Sequence, residues 1–595
     1  MREAGRYGVA SAVLVLVTAL TCPARAMAQI DLSGEWSTLY HEDAPHRGAG
    51  PELADYTGLP LNEAGRLKAE SWDASILSLR ERQCIPHIST YALRGPATIR
   101  IWKVNDPATG RAQSYNLLGS YGRPRTIWMD GRAHPSAYAP HTWTGFSTGT
   151  WDGQTLVVIT SHLKMGWLQR NGAAHSDLVT MTERFTRHDK QLLIVTILED
   201  PIYLEEPFIR TTNFALTLTG NPDDWGSCGP AVNEVAGHDK SYVPHYLPGQ
   251  NPYLATARAA LHLTDDGGGG GAATMYPEYA TSGRQGRAAV PAPRNRLLPS
   301  PAGAAVQTFP LRNGVYLLAS RDGNVTVQAG DQGVLVVDSG PASVTPALME
   351  AIRAISDKPI RFLLNTSARP NHTGGNEAIA KVGVRLRTSG GANSQGGVYQ
   401  GPSIVAHESV LLAMSAPTGE KAALPTAAWP SDTFFTDEHE VVFNGDAIQL
   451  FHQPAATDGD TLMFFRKADI VVAGDAFTTT GYPVIDAARH GTVRGVVAAL
   501  NRIIELTIPI DWQEGGTIVV PAQGRLADEA DVVEYRDMVT IVQERIAALV
   551  KKGSTLAQVK AARPTLDYDG RYGANTGPWT TDMFIEAVYR DVGGR

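Results

Sequence analysis

The sequence predicts a mostly β domain followed by a layered α/β domain, and three observations support this fold class. The chain has 595 residues, which is more than one hydrophobic core normally serves. Residues 265–308 are rich in glycine and proline and poor in large apolar side chains, which is typical of a linker. Before this stretch the apolar runs are short and broken by turn residues, whereas after it strand and helix patterns alternate.

Residues 1–28 have the order of charge and hydrophobicity that is typical of a cleaved export signal. Arg2 and Arg6 precede an apolar run over residues 8–20, and alanines between positions 24 and 28 offer cleavage sites. The run is too short to cross a bilayer comfortably, so we expect a periplasmic or secreted protein without a membrane span. The net charge of -8 provides no basic field for nucleic acid.

Residues 29–264 are predicted to be mostly β, arranged as a sandwich or a closed barrel. The run at residues 155–161 has the composition of a buried strand, and the Trp151-Asp-Gly-Gln turn before it indicates a hairpin. Further apolar runs lie at residues 97–104, 125–129, 178–185 and 191–198. We expect packing and turn roles, rather than a pocket, for His134, His141, His162, His175, Trp128, Trp143 and Trp167.

Two cysteines, Cys84 and Cys228, remain once the signal is removed. An exported protein meets an oxidising compartment, in which two thiols of one domain often pair. We therefore expect a disulfide between them, and two separate buried thiols are the alternative.

Residues 309–595 show the interleaved strands and helices of a layered α/β domain. Strand patterns lie at residues 314–320, 324–329, 334–338, 360–364, 446–451, 462–465 and 470–473. Helix patterns lie at residues 344–355, 491–505 and 528–551. In the last of these, apolar residues step by three and four from Val532 to Leu549, which is one face of a C-terminal helix.

The most informative motif is residues 365–376, which read Asn-Thr-Ser-Ala-Arg-Pro-Asn-His-Thr-Gly-Gly-Asn. This run resembles the zinc loop of the metallo-β-lactamase superfamily, in which the residues are Asn-Thr-His-x-His-x-Asp-His-x-Gly-Gly-Asn. The matching residues are Asn365, Thr366, His372, Gly374, Gly375 and Asn376.

Ligand positions of this loop differ from the family pattern. Ser367 and Arg369 stand where histidines belong, and Asn371 stands where aspartate belongs. A zinc ion needs lone pairs from imidazole nitrogens or carboxylate oxygens. Arg369 has no lone pair to offer, and its permanent positive charge would repel a divalent cation.

The resemblance extends over about residues 309–592 and implies an αββα sandwich. Asp338 stands at the position of a structural aspartate, and Asp475 at that of the aspartate that bridges two metals. Thr457-Asp-Gly-Asp460 is similar to the segment after the third histidine ligand, but that histidine is missing, and Gln523 replaces the last histidine. Residues 528–539 resemble the C-terminal extension of a secreted bacterial branch of the superfamily. Residues 31–36 and 126–132 loosely resemble lipocalin-like domains.

The resemblance thus implies a hydrolase fold with a degenerate zinc site and no cofactor, because only His372 and Asp475 remain of the usual ligands. The favoured interpretation is a pseudoenzyme that binds an unknown small-molecule or anionic ligand in the old cleft. One alternative is a metal-free hydrolase with a Ser367, His372 and Asp475 relay and Arg369 as oxyanion partner. Another is a rebuilt metal site that borrows His407, His452 or His490.

Two roles are open for Arg369. Beside His372 it could form an electropositive floor that binds a carboxylate or phosphate. Alternatively it pairs with Asp475 and restores the charge balance of a site that has lost its cations, which we favour slightly.

Overall fold

The computed structural model describes most of the chain, in segments. These are residues 30–39, 53–83, 85–94, 98–119, 122–218, 235, 237–238, 242–260, 262–264, 268–275, 306–385, 401–417, 424–510 and 512–593. The predicted export signal, Cys84 and Cys228 lie outside the described residues, so export and the disulfide stay predictions. Within the described ranges, helices of the length and hydrophobicity needed to cross a membrane are not found.

The N-terminal domain is built around a closed barrel, which confirms one of the two predicted β architectures. Among the described residues its strands are β1 (Gly34–Thr38), β2 (Ile99–Asn105), β3 (Ala112–Leu118), β4 (Arg125–Trp128), β5 (Phe146–Asp152), β6 (Thr155–Ser161), β9 (Thr180–His188), β10 (Gln191–Glu199) and β11 (Phe208–Thr217). They close in the order β1-β11-β10-β9-β6-β5-β4-β3-β2, and β7 (Gly166–Trp167) pairs with β8 (Ala174–His175) outside the barrel. The predicted hairpin is present, since β5 pairs antiparallel with β6 around Gly153 at φ +61°.

The histidines of the barrel domain are hydrogen-bonded to side chains and backbone carbonyls. His134 is hydrogen-bonded to Ser161 Oγ at 2.6 Å and to Thr148 Oγ1 at 2.9 Å. His175 is fully buried, and its two ring nitrogens lie 2.9 Å from Thr90 Oγ1 and 3.0 Å from the carbonyl of Ser176. Further ring bonds reach backbone carbonyls, from His141 to Leu163 and from His162 to Ser136.

The C-terminal domain has two stacked β-sheets with helices on both outer faces, as the resemblance implied. One sheet of the described chain has the order β12 (Gln307–Pro310), β13 (Val315–Ser320), β14 (Gly323–Gly330), β15 (Gly333–Val337), β16 (Ile360–Leu364), β17 (Ser403–His407) and β18 (Asp432–Phe434). The other has the order β19 (Glu438–Phe443), β20 (Asp446–His452), β21 (Thr461–Phe465), β22 (Ile470–Val472) and β23 (Ile518–Val520). Buried residues of both sheets, such as Leu335 and Leu450, form one apolar cluster, so the sheets pack face to face.

Helices cover the outer faces of both sheets. In chain order the helices are α1 (Glu63–Glu70), α2 (Ser89–Ala92), α3 (Tyr253–Ala260), α4 (Thr345–Ile355), α5 (Pro370–Thr373), α6 (Asn376–Val382), α7 (Glu408–Ser415), α8 (Val493–Leu506), α9 (Glu529–Lys551), α10 (Leu556–Ala561), α11 (Leu566–Tyr572) and α12 (Thr581–Asp591). Helix α4 packs on the first sheet through Leu348 and Ile352. Helices α8, α9 and α12 pack on the second sheet and complete the αββα arrangement.

The two domains share packing that the sequence did not predict. Ile76 and Val243 of the N-terminal region belong to the same apolar cluster as the C-terminal helices. Part of the predicted linker is also packed, because Gly271 N donates to the carbonyl of Leu59 at 2.7 Å. Gly270 is buried there at φ +77°, and a Cβ would lie 3.0 Å from the carbonyl of Tyr56. The glycines at 268–271 therefore permit close packing in this segment rather than free movement.

Candidate functional site

The candidate site lies at one edge of the sandwich, where the two sheets meet. Asp338 follows β15, Asn365 follows β16 and Asp475 follows β22, so the carboxyl ends of these strands bring the three residues to one edge. Thr461 N, in β21, donates to the carbonyl of Thr366 at 2.9 Å and ties the second sheet to the motif. This fold places His372, on the short helix α5, beside both aspartates.

The residues that match the family motif hold the loop in shape. The side-chain amides of Asn365 and Asn376 bond to each other at 2.8 and 3.2 Å. The Thr366 hydroxyl donates to Asp338 Oδ2 at 2.6 Å. Gly374 and Gly375 permit a close approach, because a Cβ on either would lie 2.6 Å from the backbone of residues 339–342. The scaffold of the zinc loop is thus intact although its ligand residues differ.

His372 lies between two carboxylates. Its Nδ1 is 2.7 Å from Asp338 Oδ2, and its Nε2 is 2.9 Å from Asp475 Oδ1. The second contact is an ion pair without hydrogen-bond geometry, since Nε2 has no hydrogen-bond partner among the described residues. Burial alone would lower the pKa of His372, but Asp475 and Asp338 together raise it well above its ordinary value. His372 is therefore an imidazolium at neutral pH.

Arg369 supplies a second positive charge. Its Nη1 lies 3.1 Å from Asp475 Oδ2, which is the pairing that the sequence favoured slightly. The Asp475 side chain is 7% exposed, whereas that of Arg369 is 21% exposed and reaches solvent. Burial would raise the pKa of Asp475, but His372 and Arg369 hold it well below its ordinary value. Two cations thus balance the carboxylates of Asp338 and Asp475.

Asp460 contributes a further carboxyl group to this site. Thr457 N and Thr457 Oγ1 donate to its two oxygens at 2.9 and 2.5 Å. Burial, followed by the negative charge of Asp475, raises the pKa of Asp460 to about 7. The proton of this carboxylate pair is therefore held more strongly by Asp460 than by Asp475.

Ser367 is fully buried in the site, and its hydroxyl has no hydrogen-bond partner among the described residues. A relay would need that hydroxyl on a nitrogen of His372. Instead, carboxylate oxygens are next to both nitrogens of His372. The structure thus brings Ser367, Arg369, His372 and Asp475 to one site, but it does not show the hydrogen-bond order of a relay.

Gln523 and Asn371 stand at two further ligand positions of the family and face protein groups. Gln523 Nε2 donates to the carbonyl of Arg321, and Gln523 Oε1 accepts from Thr480 Oγ1 at 3.0 Å. The Asn371 side chain faces Asp475 and helps to lower its pKa.

The donor set does not fit the zinc ions that the fold family implies. Asp475 faces a guanidinium and an imidazolium, both of which repel a divalent cation. In the described part of the chain, no group of three or more histidine, cysteine, aspartate or glutamate side chains is arranged to hold a metal.

The histidines considered for a rebuilt metal site make contacts within the protein. His407 and His452 stack face to face, with ring centroids 3.5 Å apart and an angle of 8° between the planes. His452 Nε2 bonds to the carbonyl of Asp458 at 2.7 Å, and His490 ends a short helical turn at φ +57°.

Asp338 and Asp460 are absent from the site residues predicted from the sequence. Asp338 was identified as a structural aspartate at a strand end, and Asp460 lies within the segment after the missing histidine. The signal that could have found them is that both lie in segments that match the family motifs. Asp338 faces His372 and raises its pKa, whereas the charge of Asp475 raises the pKa of Asp460.

Residues 320–510 match the family model of the metallo-beta-lactamase superfamily. This match assigns a metallo-β-lactamase-superfamily domain to residues 320–510, in agreement with the stacked sheets and the outer helices. A comparison with curated proteins finds no match.

Solved structures share parts of this fold. The sec-alkylsulfatase Pisa1 from Pseudomonas sp. is 15% identical, covers 49% of this chain and has a TM-score of 0.36. The present chain covers 50% of that protein, so it spans about half the length of this relative. A metallo-beta-lactamase from Pontibacter korlensis is 14% identical over 39% of this chain and 98% of its own, with a TM-score of 0.31.

Proposed function

We propose that this protein is a metallo-β-lactamase-fold pseudoenzyme that binds a small anionic ligand in the cleft where its relatives hold zinc. The observation that carries the pseudoenzyme assignment is the ion pair between Arg369 and Asp475, at 3.1 Å. It puts a fixed positive charge of the protein next to an aspartate that stands at a metal-bridging position. Zinc-dependent hydrolysis needs a metal to activate water and to polarise the scissile group, and the side chains here supply neither function.

Several donors at the site favour an anion as the ligand. Arg369 is partly exposed, and a guanidinium presents further N–H groups besides the one that faces Asp475. Ser367 Oγ is buried without a hydrogen-bond partner among the described residues. Buried polar groups are normally hydrogen-bonded, so this hydroxyl calls for a partner such as a carboxylate or phosphate oxygen.

Calorimetric titration of the full chain with inorganic phosphate, and in parallel with acetate, tests this proposal. We expect saturable binding that weakens about tenfold or more in Arg369→Gln, because a charge-assisted hydrogen bond is lost. Arg466→Gln is the matched control, since Arg466 is an exposed arginine of the same domain. Binding that is equal in both variants and the wild type would show that the anion binds elsewhere.

The pseudoenzyme assignment is tested by hydrolysis assays combined with elemental analysis. The assays use β-lactam, thioester and phosphodiester substrates. We expect no stoichiometric zinc and no turnover that chelation abolishes. Metal-free turnover that both Ser367→Ala and His372→Ala remove would instead favour the serine relay. Zinc-dependent turnover would contradict the pseudoenzyme assignment directly.

A further inference from the structure

Two loops frame the candidate site and are bonded to each other. We call residues 475–480 and 521–526 the framing loops, because the first contains Asp475 and the second contains Gln523. Thr480 Oγ1 donates to Gln523 Oε1 at 3.0 Å. Arg525 N donates to Thr479 Oγ1 at 2.9 Å. A displacement of one framing loop would therefore move the other.

The barrel domain holds the second framing loop through buried ion pairs. Asp177, in the turn before β9, accepts from Arg525 Nη2 at 3.1 Å and from Arg571 at 2.6 and 2.9 Å. The three side chains are between 7% and 14% exposed. Burial would raise the pKa of Asp177, but Arg571 and Arg525 hold it well below its ordinary value. The carboxylate is thus ionised and bonded to both guanidinium groups.

A lysine of the barrel domain binds the start of helix α9, just after the same loop. Lys164 Nζ lies 2.7 Å from Asp528 Oδ1 and 2.9 Å from Asp531 Oδ2. Asp531 also accepts from Arg525 Nη2 at 2.8 Å, so one carboxylate joins the lysine to the framing loop. Lys164 is only 4% exposed, and removal of one partner of such a buried pair leaves an uncompensated charge.

The barrel domain also contacts the second framing loop through its backbone. Leu526 N donates to the carbonyl of Tyr138, at 3.0 Å, and the Tyr138 ring packs against the core between the two sheets. Burial and the charge of Asp322, in the turn between β13 and β14, raise the pKa of Tyr138. In that turn, a Cβ on Gly323 would lie 3.7 Å from the carbonyl of Ala522 and 3.8 Å from that of Asn371.

We propose that Asp177 and Lys164 are positioning residues through which the barrel domain holds the framing loops in the arrangement that the candidate site requires. The barrel domain then helps to set the shape of the candidate site, and both domains are needed for its function. This inference concerns the position of the loops and does not depend on the identity of the ligand.

Hydrogen exchange on the full chain, read by mass spectrometry, tests the inference with Asp177→Asn. We expect exchange at residues 475–480 and 521–526 to become about tenfold faster or more, because hydrogen bonds to a charged group are lost. Exchange in β20 and β21 should stay unchanged. Asp152→Asn is the control, since Asp152 pairs with Arg184 on the barrel surface, where it is 69% exposed.

Unchanged exchange in the framing loops, or acceleration by the same factor throughout the chain, would overturn the inference. If Asp177→Asn does not fold, Asp177→Glu, which keeps the charge, gives the same readout at a smaller expected change. Phosphate titration of these variants adds a second measurement, in which we expect weaker binding. Absence of phosphate binding in the wild type would contradict the proposed function but would leave the exchange result as the test of this inference.

Discussion

At the residue scale, the site is an electrostatic balance between two cations and two carboxylates. Arg369 and His372 face Asp475, and His372 also faces Asp338. In a metal site the ion would supply the positive charge, whereas here the chain supplies it. The change in the free energy of unfolding when one of these four side chains is removed therefore depends on the charges that remain.

Arg369→Gln should lower the free energy of unfolding by about 1–3 kcal/mol, because Asp475 stays buried and loses one of its two cations. The double variant Arg369→Gln with Asp475→Asn should be less destabilised than the sum of the single variants. Urea denaturation of the four proteins measures both values. Strictly additive effects would mean that the two side chains do not interact.

A second prediction at this scale concerns Glu529, at the start of helix α9. Burial raises its pKa to about 8 from the ordinary value of 4.5, although a hydrogen bond from Thr507 opposes this. The charges of Asp528 and Glu81 raise this pKa further, and the charge of Arg80 lowers it. The folded state keeps the proton that the unfolded chain releases, so the contribution of Glu529 to stability is complete below about pH 4.5 and is lost as pH rises through 8.

Thermal unfolding measured between pH 6 and pH 9 should therefore show a decline that Glu529→Gln makes shallower. Glu440→Gln, on the exposed side of β19, serves as the control and should leave the slope unchanged. Equal slopes for Glu529→Gln and the wild type would contradict the proposed protonation of the buried carboxyl group.

At the element scale, sequence periodicity predicted the strands and helices well. The packing of segments between them depends on contacts that periodicity does not show. The predicted strand at residues 360–364 and the helix pattern at 344–355 agree with β16 and α4. The α9 prediction agrees because its apolar residues repeat at helical spacing and Asp528 caps its first turn. The composition of the glycine and proline stretch does not reveal that Gly270 packs against Tyr56.

An element-scale prediction concerns Arg545, which joins α9 to α11 and to the N-terminal region. Its guanidinium bonds to Asp567 at 2.6 and 3.0 Å and to Ser71 Oγ at 2.7 Å, and both charged side chains are at most 1% exposed. Arg545→Met should lower the free energy of unfolding by about 3–5 kcal/mol, because Asp567 remains buried without its partner.

The matched control for Arg545→Met is Lys560→Met, since Lys560 pairs with Asp582 at a surface position where the aspartate is 69% exposed. Its effect should be below about 1 kcal/mol. Guanidinium denaturation gives both values, and similar effects for the two variants would show that the buried pair contributes no more than a surface one.

At the scale of the whole molecule, stability should come from packing and not from a metal. The apolar cluster between the sheets and the one under the C-terminal helices are both extensive, and the second includes residues of the N-terminal region. Chelator treatment should therefore leave the thermal unfolding midpoint unchanged. A fall of several degrees, reversed by added zinc, would reveal a metal site that supports the fold.

The fold class and most element positions could be predicted from the sequence, as could the departure of Ser367, Arg369 and Gln523 from the family motif. These properties depend on local periodicity and on residue identity at each position. The pairing of Arg369 with Asp475 and the raised pKa of Asp460 arise only when the chain folds. Folding also brings Asp177 and Lys164 of the barrel domain to Arg525 and to the start of α9. Asp177 and Arg525 are 348 positions apart, and no local pattern encodes a contact that forms only when two folded domains pack together.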